Sequence, residues 1–181
     1  MSRRILALAG PKGSGKSTAA QLLHQKHKFY NTSFTWPIKR MLIELLFCGG
    51  MSATDAAHAI SDQKEVPLDA LGGRTPRHAM QTLGTEWRDL MSQSLWLDIW
   101  QARILAPNMQ SRDIVVDDLR FALEAHRVRA FGGKVVLIHR EQALTADSHI
   151  SEQEWKTIPF DAVVRNDGLP DEMLPQLEAL L

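Results

Sequence analysis

Short apolar runs alternate along the chain with longer stretches in which apolar residues recur every three or four positions, and the two patterns predict strands and helices in turn. Ile5-Leu6-Ala7-Leu8-Ala9 has no polar position on either face, as expected of a central strand covered on both sides. Lys16 to Lys28 places Ala19, Ala20, Leu22 and Leu23 among polar residues and predicts a helix. Phe29 to Phe34 predicts a second strand, and Pro37 sits in the first turn of a helix through Ile38, Met41, Leu42, Leu45 and Leu46 toward Gly49-Gly50. Ser52 to Ile60 predicts a short helix, and Asp62 to Gly73 a surface loop. Thr75-Pro76 reads as an N-cap and first helical residue, opening a helix to about Met91, with a tryptophan-rich helix over Leu95 to Ala106 behind it.

The alternation then resumes. Ile114-Val115-Val116-Asp117 predicts a strand, Phe121 to Phe131 a helix stopped by Gly132-Gly133, and Val135 to Ile138 a further strand. A polar stretch over 140–158 interrupts the pattern, Ala162-Val163-Val164 restarts it, and a last helix is expected near Asp171 to Leu181, limited by Pro175. Strand and helix in turn argue for an α/β fold, a parallel sheet with helices on both faces, whose ligands collect at the carboxyl ends of the strands.

Composition narrows the function classes. The 181 residues, 44% apolar and 23% charged, suit one compact globular domain. Lys plus Arg equals Asp plus Glu at 21 each, so no overall cationic field holds a nucleic-acid polymer or an anionic membrane, and any anion must be gripped locally. The single cysteine, Cys48, supports neither an intrachain disulfide nor a multi-cysteine zinc site. The apolar run Ile5 to Ala9 is too short for a signal-peptide core, and no stretch approaches a membrane helix, so a cytoplasmic location is expected.

Gly10-Pro11-Lys12-Gly13-Ser14-Gly15-Lys16-Ser17 fills G-x-x-x-x-G-K-[ST] between a predicted strand and a predicted helix. Glycines let successive N–H groups turn toward phosphate oxygens, and the helix N-terminus adds partial positive charge. Lys16 is expected to reach the β and γ phosphates, Ser17 to offer its hydroxyl to Mg²⁺, and Thr18 to help hold the innermost phosphate. Asp117, Asp118 and Arg120 follow a strand and are predicted to reach the same sheet edge, one aspartate serving the Mg²⁺ shell and Arg120 the phosphates. The same acids would also suit a helix N-terminus with no ligand.

At 100° per residue Arg77, Gln81, Gly84 and Arg88 form one stripe, beside an apolar stripe of Met80, Leu83, Trp87 and Met91 that is expected to be core. The polar stripe suits a monophosphate and a base edge, and would equally serve as a solvated helix face. Trp36, Trp96, Trp100 and Trp155 are better core fillers than base-stacking partners. Arg140 could close over the phosphates on a flap, whereas Asp147, His149 and Glu152 make only a weak metal-site pattern.

These segments, in this order, resemble the bacteriophage-type deoxynucleoside monophosphate kinases of the P-loop nucleoside monophosphate kinase superfamily. The resemblance rests on Ser33-Phe34-Thr35-Trp36-Pro37-Ile38-Lys39, on Thr75-Pro76-Arg77 through Gln81-Thr82-Leu83-Gly84-Thr85-Glu86, and on Asp118-Leu119-Arg120-Phe121 with Glu124 and Gly132-Gly133. His149-Ile150-Ser151-Glu152 and Asn166-Asp167-Gly168 complete it. Thr35-Trp36 replaces small residues common in the family, and Asp117 stands where serine is frequent, which leaves open which aspartate organises Mg²⁺.

The resemblance implies a P-loop three-layer sandwich with about five parallel strands, a core of 1–35, 107–139 and 159–181, an acceptor-binding helical region 36–106 and a lid 140–158. It implies transfer of the γ-phosphoryl of ATP to a deoxynucleoside monophosphate, with Mg²⁺. Trp36, Lys39, Arg77, Gln81, Thr85 and Glu86 take the acceptor; Gly10, Lys12, Gly13, Ser14, Gly15, Lys16, Ser17, Thr18, Asn166 and Gly168 take ATP. Lys16, Asp118, Arg120 and Arg140 would be catalytic, and Ser17 with Asp117 and Asp118 would serve the metal. Homodimerisation is left open. Kinases of other small phosphorylated acceptors, of the phosphomevalonate or dephospho-coenzyme A type, and a non-catalytic ATP-binding module are the alternatives.

Overall fold

The computed structural model describes residues 3–141 and 154–181. In chain order its strands and helices are β1 (Ile5–Ala9), α1 (Lys16–His27), β2 (Tyr30–Thr32), α2 (Trp36–Cys48), α3 (Ala53–Ser61), α4 (Pro76–Leu90), α5 (Leu95–Leu105), β3 (Ile114–Val116), α6 (Ala122–Ala130), β4 (Lys134–His139), β5 (Ala162–Arg165) and α7 (Met173–Glu178). The chain divides into two compact units, Met1–Phe34 with Gln101–Leu181, and Thr35–Trp100.

The first unit is built on a five-stranded sheet of order β2-β3-β1-β4-β5. Every pairing is parallel, with Ala7 opposite Val116 on one side and Val135 on the other. All five residues of β1 are buried, as its two-sided apolar run predicts for a central strand. Leu6 and Leu8 join a core with Ala19, Ala20 and Leu23 of α1 and Met173 and Leu177 of α7. On the other face α6 approaches so closely that a Cβ on Gly133 would lie 2.7 Å from Val128 Cγ1 and 3.0 Å from the Ile5 Cβ. Helices therefore cover both faces, and the α/β reading of the sequence is the observed fold.

The last helix begins later than its sequence pattern suggests. Residues Pro170–Glu172 form a separate 3₁₀ turn and α7 starts at Met173, which puts Pro175 in its first turn, where a missing N–H costs nothing.

In the second unit α2 and α3 pack through Leu42, Leu46, Ala56, Ala59 and Ile60, with Ala79 and Met80 of α4 against them. Ser52 and Thr75 cap α3 and α4, accepting from the N–H groups of Asp55 and His78. The apolar stripe of α4 is not the core element expected of it. Trp87 is 38% and Met91 66% exposed, because the contacts to the α2–α3 cluster come from the start of the helix. Trp87 instead stacks on Trp96, whose indole N–H donates to the Gly84 carbonyl at 3.0 Å. Trp96 and Trp100 are buried, as core fillers should be. No helix among the described residues is long and apolar enough to cross a membrane.

Asp113 clips the starts of β1 and β3 together. Its carboxylate accepts from the Arg4 backbone N–H at 2.7 Å and from Arg4 Nε at 2.8 Å, with Arg4 Nη2 on the same oxygen. Burial alone would raise its pKa, but the Arg4 hydrogen bonds and charge outweigh burial and hold it below the ordinary 3.8. A carboxylate with a depressed folded pKa stabilises the fold at neutral pH and loses that contribution as pH falls through the folded value. Asp113→Asn is expected to lower stability by about 1 kcal/mol at pH 7, discounted for the half-exposed Arg4. Urea midpoints of both proteins should converge as pH drops below about 3.8.

Candidate functional site

The loop between β1 and α1 is shaped by two close approaches. Gly10 has φ 137°, and a Cβ there would lie 2.5 Å from the Ile138 carbonyl oxygen of β4. Gly15 has φ 102°, and a Cβ there would lie 2.3 Å from Asn166 Nδ2. Both positions combine a left-handed backbone with no room for a side chain, which only glycine satisfies. Within the loop the Ser14 N–H donates to the Pro11 carbonyl at 3.2 Å, and Ser14 is fully buried. Lys16 opens α1, and its ammonium donates to the carbonyls of Gly10 at 2.7 Å and Pro11 at 2.8 Å.

A cleft of about 370 Å³ lies over this loop, lined by Gly13, Gly15, Lys16, Ser17, Thr18, Arg140, Asn166, Gly168 and Pro170. That volume is in the range of small-molecule sites. Asn166 follows β5, donates its backbone N–H to the His139 carbonyl at 2.8 Å and donates its side-chain amide to the Ser14 carbonyl at 2.8 Å. Arg140 follows β4, and its Nη1 lies 3.5 Å from the Gly13 carbonyl oxygen. The Glu141 N–H donates to Asp167 at 3.1 Å, joining the two segments at the rim. Asp147, His149 and Glu152, with most of the lid 140–158, lie outside the described residues.

The acidic segment after β3 lies at the same sheet edge. Asp117 N–H donates to the Thr32 carbonyl at 3.4 Å and Leu119 N–H to the Leu8 carbonyl at 3.2 Å. Asp118 Oδ1 accepts from the Phe34 backbone N–H at 2.9 Å, so this carboxylate also satisfies the chain as it leaves β2. Arg120 is half-buried, and its backbone N–H donates to Glu124 Oε2 at 2.7 Å. Among the described residues the cleft lining includes Arg140 but not Asp117, Asp118 or Arg120.

The acceptor candidates belong to the second unit. Arg77, Gln81 and Thr85 are half-buried and rise along one side of α4, as spacings of four dictate. Gly84 and Arg88 share that stripe and are half-buried too. At Gly84 the close neighbour is Ile38 of α2, 3.4 Å from where a Cβ would stand. Glu86 is exposed and, nine residues on from Arg77, points half a turn away around the helix. On α2, Trp36 is half-buried and Lys39 exposed.

The sequence model of the family described as deoxynucleotide monophosphate kinase matches residues 50–177. The chain belongs to that family. A protein of Acanthamoeba polyphaga mimivirus with the provisional name of deoxynucleotide monophosphate kinase is 30% identical over 185 residues, covering 96% of this chain and 93% of its own. The deoxynucleotide monophosphate kinase of Escherichia phage RB69 is 29% identical over 107 residues, covering 58% of this chain and 44% of its own. The family model's match begins well after the phosphate loop, so that match does not itself rest on the loop's motif.

For a deoxynucleotide monophosphate kinase the oxygen donors at this sheet edge suit magnesium, which takes a hydroxyl, one or two carboxylates, phosphate oxygens and waters. Ser17 in the cleft lining and the aspartates after β3 are donors of that kind. Among the described residues no group of three or more His, Cys, Asp or Glu side chains forms a metal cage.

Three residues that sequence reasoning did not place in the site are part of its construction. Pro170 lines the cleft and Glu65 bonds Arg77, both from irregular segments without periodicity to flag them. Glu124 could have been found, since it stands three residues into α6, where a carboxylate caps the helix start. It is 8% exposed and accepts from the backbone N–H groups of Arg120 and Phe121. Burial, and after it the charge of Asp118, push its pKa from 4.5 up to about 8.

Between those values the unfolded chain has lost a proton that the folded chain keeps, so stability falls as pH rises from 4.5 to about 8 and levels off above it. Glu124→Gln keeps the shape and an acceptor oxygen but has no charge to bury. Its stability relative to the wild type is expected to rise across that window by a few kcal/mol, since each tenfold difference in proton affinity between folded and unfolded chain is worth about 1.4 kcal/mol. Denaturant midpoints of both proteins at about pH 5 and about pH 8.5 read the difference.

Proposed function

We propose that this chain transfers the γ-phosphoryl group of ATP to a deoxynucleoside monophosphate, giving the deoxynucleoside diphosphate and ADP. The observation that carries the reading is the loop Gly10–Ser17, folded between β1 and α1 with Lys16, Arg140 and Asn166 around one cleft, in a chain of this kinase family. ATP is assigned to the cleft, its phosphates along Gly10, Lys12, Gly13, Ser14 and Gly15 and at the start of α1, with Ser17 and Thr18 beside them. Asn166 and Gly168 line the same cleft and are assigned to ATP as well.

Phosphoryl transfer leaves the protein positioning and charge neutralisation to supply. Lys16 and Arg140 are assigned to the transferring group, with Arg120 reaching it from the β3 edge. Ser17 with Asp117 or Asp118 would hold Mg²⁺, which would supply positive charge to offset that of the phosphates. Arg77 is assigned to the acceptor's phosphate, Gln81 and Thr85 to its base side, and Trp36 and Lys39 to the pocket that α2 contributes. Glu86, on the far side of α4 from Arg77, is not assigned to that grip. The acceptor's own phosphate oxygen is the nucleophile and is already ionised at neutral pH, so no side chain need act as general base. Residues 36–106 are assigned to acceptor binding and 140–158 to a lid.

A coupled assay of ADP release tests this with the full panel of deoxynucleoside monophosphates, against phosphomevalonate and dephospho-coenzyme A. Turnover is expected with one or more of the deoxynucleotides and not with the other two; ADP release independent of any acceptor would refute it. Lys16→Ala is expected to lose about two to three orders of magnitude in kcat, as for removal of a preorganised charge from a dry site. Unchanged turnover in that variant contradicts its assignment.

A further inference from the structure

Arg77 enters α4 already engaged. Its backbone N–H donates to the Lys64 carbonyl at 2.9 Å, and its side-chain Nε donates to Glu65 Oε1 at 2.5 Å. The two side chains differ in surroundings, Arg77 being 20% exposed and Glu65 57%. Glu65 approaches the guanidinium from a backbone held in place by its own hydrogen bonds. The segment that carries it is pinned by Val66 N–H to the Gln63 carbonyl at 2.8 Å, Leu68 N–H to the Arg74 carbonyl at 3.1 Å and Gly73 N–H to the Leu68 carbonyl at 3.0 Å. Leu68 and Arg74 form an antiparallel bridge.

A carboxylate on a guanidinium is chemically the partner that a phosphomonoester would be, since both present oxygen lone pairs to the same fork of N–H donors. We propose that Glu65 is the internal counter-ion of Arg77, which the acceptor's phosphate displaces, so that this carboxylate sets the affinity for the acceptor. The inference rests on the assignment of Arg77 to the acceptor's phosphate. Its physics is a competition. While Glu65 holds Arg77 Nε, the half-buried cation is neutralised without a ligand, and an acceptor phosphate competes with that carboxylate for the guanidinium. The contact is cheap to break on the Glu65 side, because a mostly exposed carboxylate returns to water.

The full-length enzyme and its Glu65→Gln variant, which keeps size but loses charge, decide the matter. The variant's KM for deoxynucleoside monophosphate is expected to fall about three- to fivefold, the range of an exposed ion pair, with KM for ATP unchanged. Inorganic phosphate, used as a competitor of the acceptor, should show a parallel fall in Ki. A purely structural role for Glu65 gives the opposite sign, because a loosened Arg77 raises KM. In an Arg77→Ala background, where KM for the acceptor is itself raised, Glu65→Gln should have no further effect. If Glu65→Gln leaves or raises KM and the phosphate Ki while Arg77→Ala raises KM, the competition is refuted and the assignment of Arg77 stands. If Arg77→Ala leaves acceptor KM unchanged, the assignment fails and the inference with it.

Discussion

The phosphate loop depends on how tightly the carboxyl ends of three strands are drawn together. β1 runs into the loop, β4 places the Ile138 carbonyl where Gly10 would carry a Cβ, and the residue after β5, Asn166, does the same to Gly15. The amide of Asn166 then reaches the Ser14 carbonyl through the gap that Gly15 leaves. Parallel pairing fixes this convergence, since Leu8 and Ala9 of β1 stand level with Val136 and Leu137 of β4, and Ile138 with Val164 of β5. A methyl group at Gly10 would separate strands rather than displace the end of a side chain, because the obstacle there is backbone. The cleft's shape is thus a property of the sheet, and the loop is its visible part.

A chain of zero net charge has to manage its cations one at a time. Lys16 rests on two loop carbonyls, Arg77 on the Glu65 carboxylate, and Arg140 lies beside the Gly13 carbonyl. In each case an oxygen of the protein occupies a position on the cation of the kind a phosphate oxygen would take. Such contacts hold the donors near their working geometry, and for the half-buried Lys16 and Arg77 they limit the cost of burying a charge. They also reduce the net gain from a ligand, because binding becomes an exchange of oxygens instead of a simple addition. Net neutrality and local anion capture are compatible on these terms.

Most of the fold was legible because its signals are local. The two-sided apolar run of β1, the glycine pattern before Lys16, and the capping residue Thr75 each act within a few residues of where they are read. What was not legible depended on which partner a surface meets. The stripe Met80, Leu83, Trp87 and Met91 has the right period for burial, yet only its early part meets the α2–α3 cluster, and period reports amphipathicity without reporting where the neighbour ends. Glu65 reaches Arg77 from a segment with no regular structure, so no spacing rule connects them. Pro175 reads as a limit on a helix from Asp171, whereas a 3₁₀ turn before it lets the helix start late enough to accept it.

The carboxylates at the end of β3 show why residue type overstates chemistry in a motif. Reading Asp117, Asp118 and Arg120 as metal and phosphate ligands treats their polar atoms as available to a ligand, but the backbone has first claim on them. The chain leaves β2 with the Phe34 N–H unmatched, and Asp118 takes it; it enters α6 with the Arg120 and Phe121 N–H groups unmatched, and Glu124 takes both. The charge of Asp118 adds to the cost of ionising Glu124, whose burial leaves it little water to turn to. Ligand chemistry at this edge is therefore left to the oxygens that backbone satisfaction does not consume. Asp118 thus holds the chain leaving β2 through one oxygen, and a cation at this edge would share the carboxylate with that backbone bond.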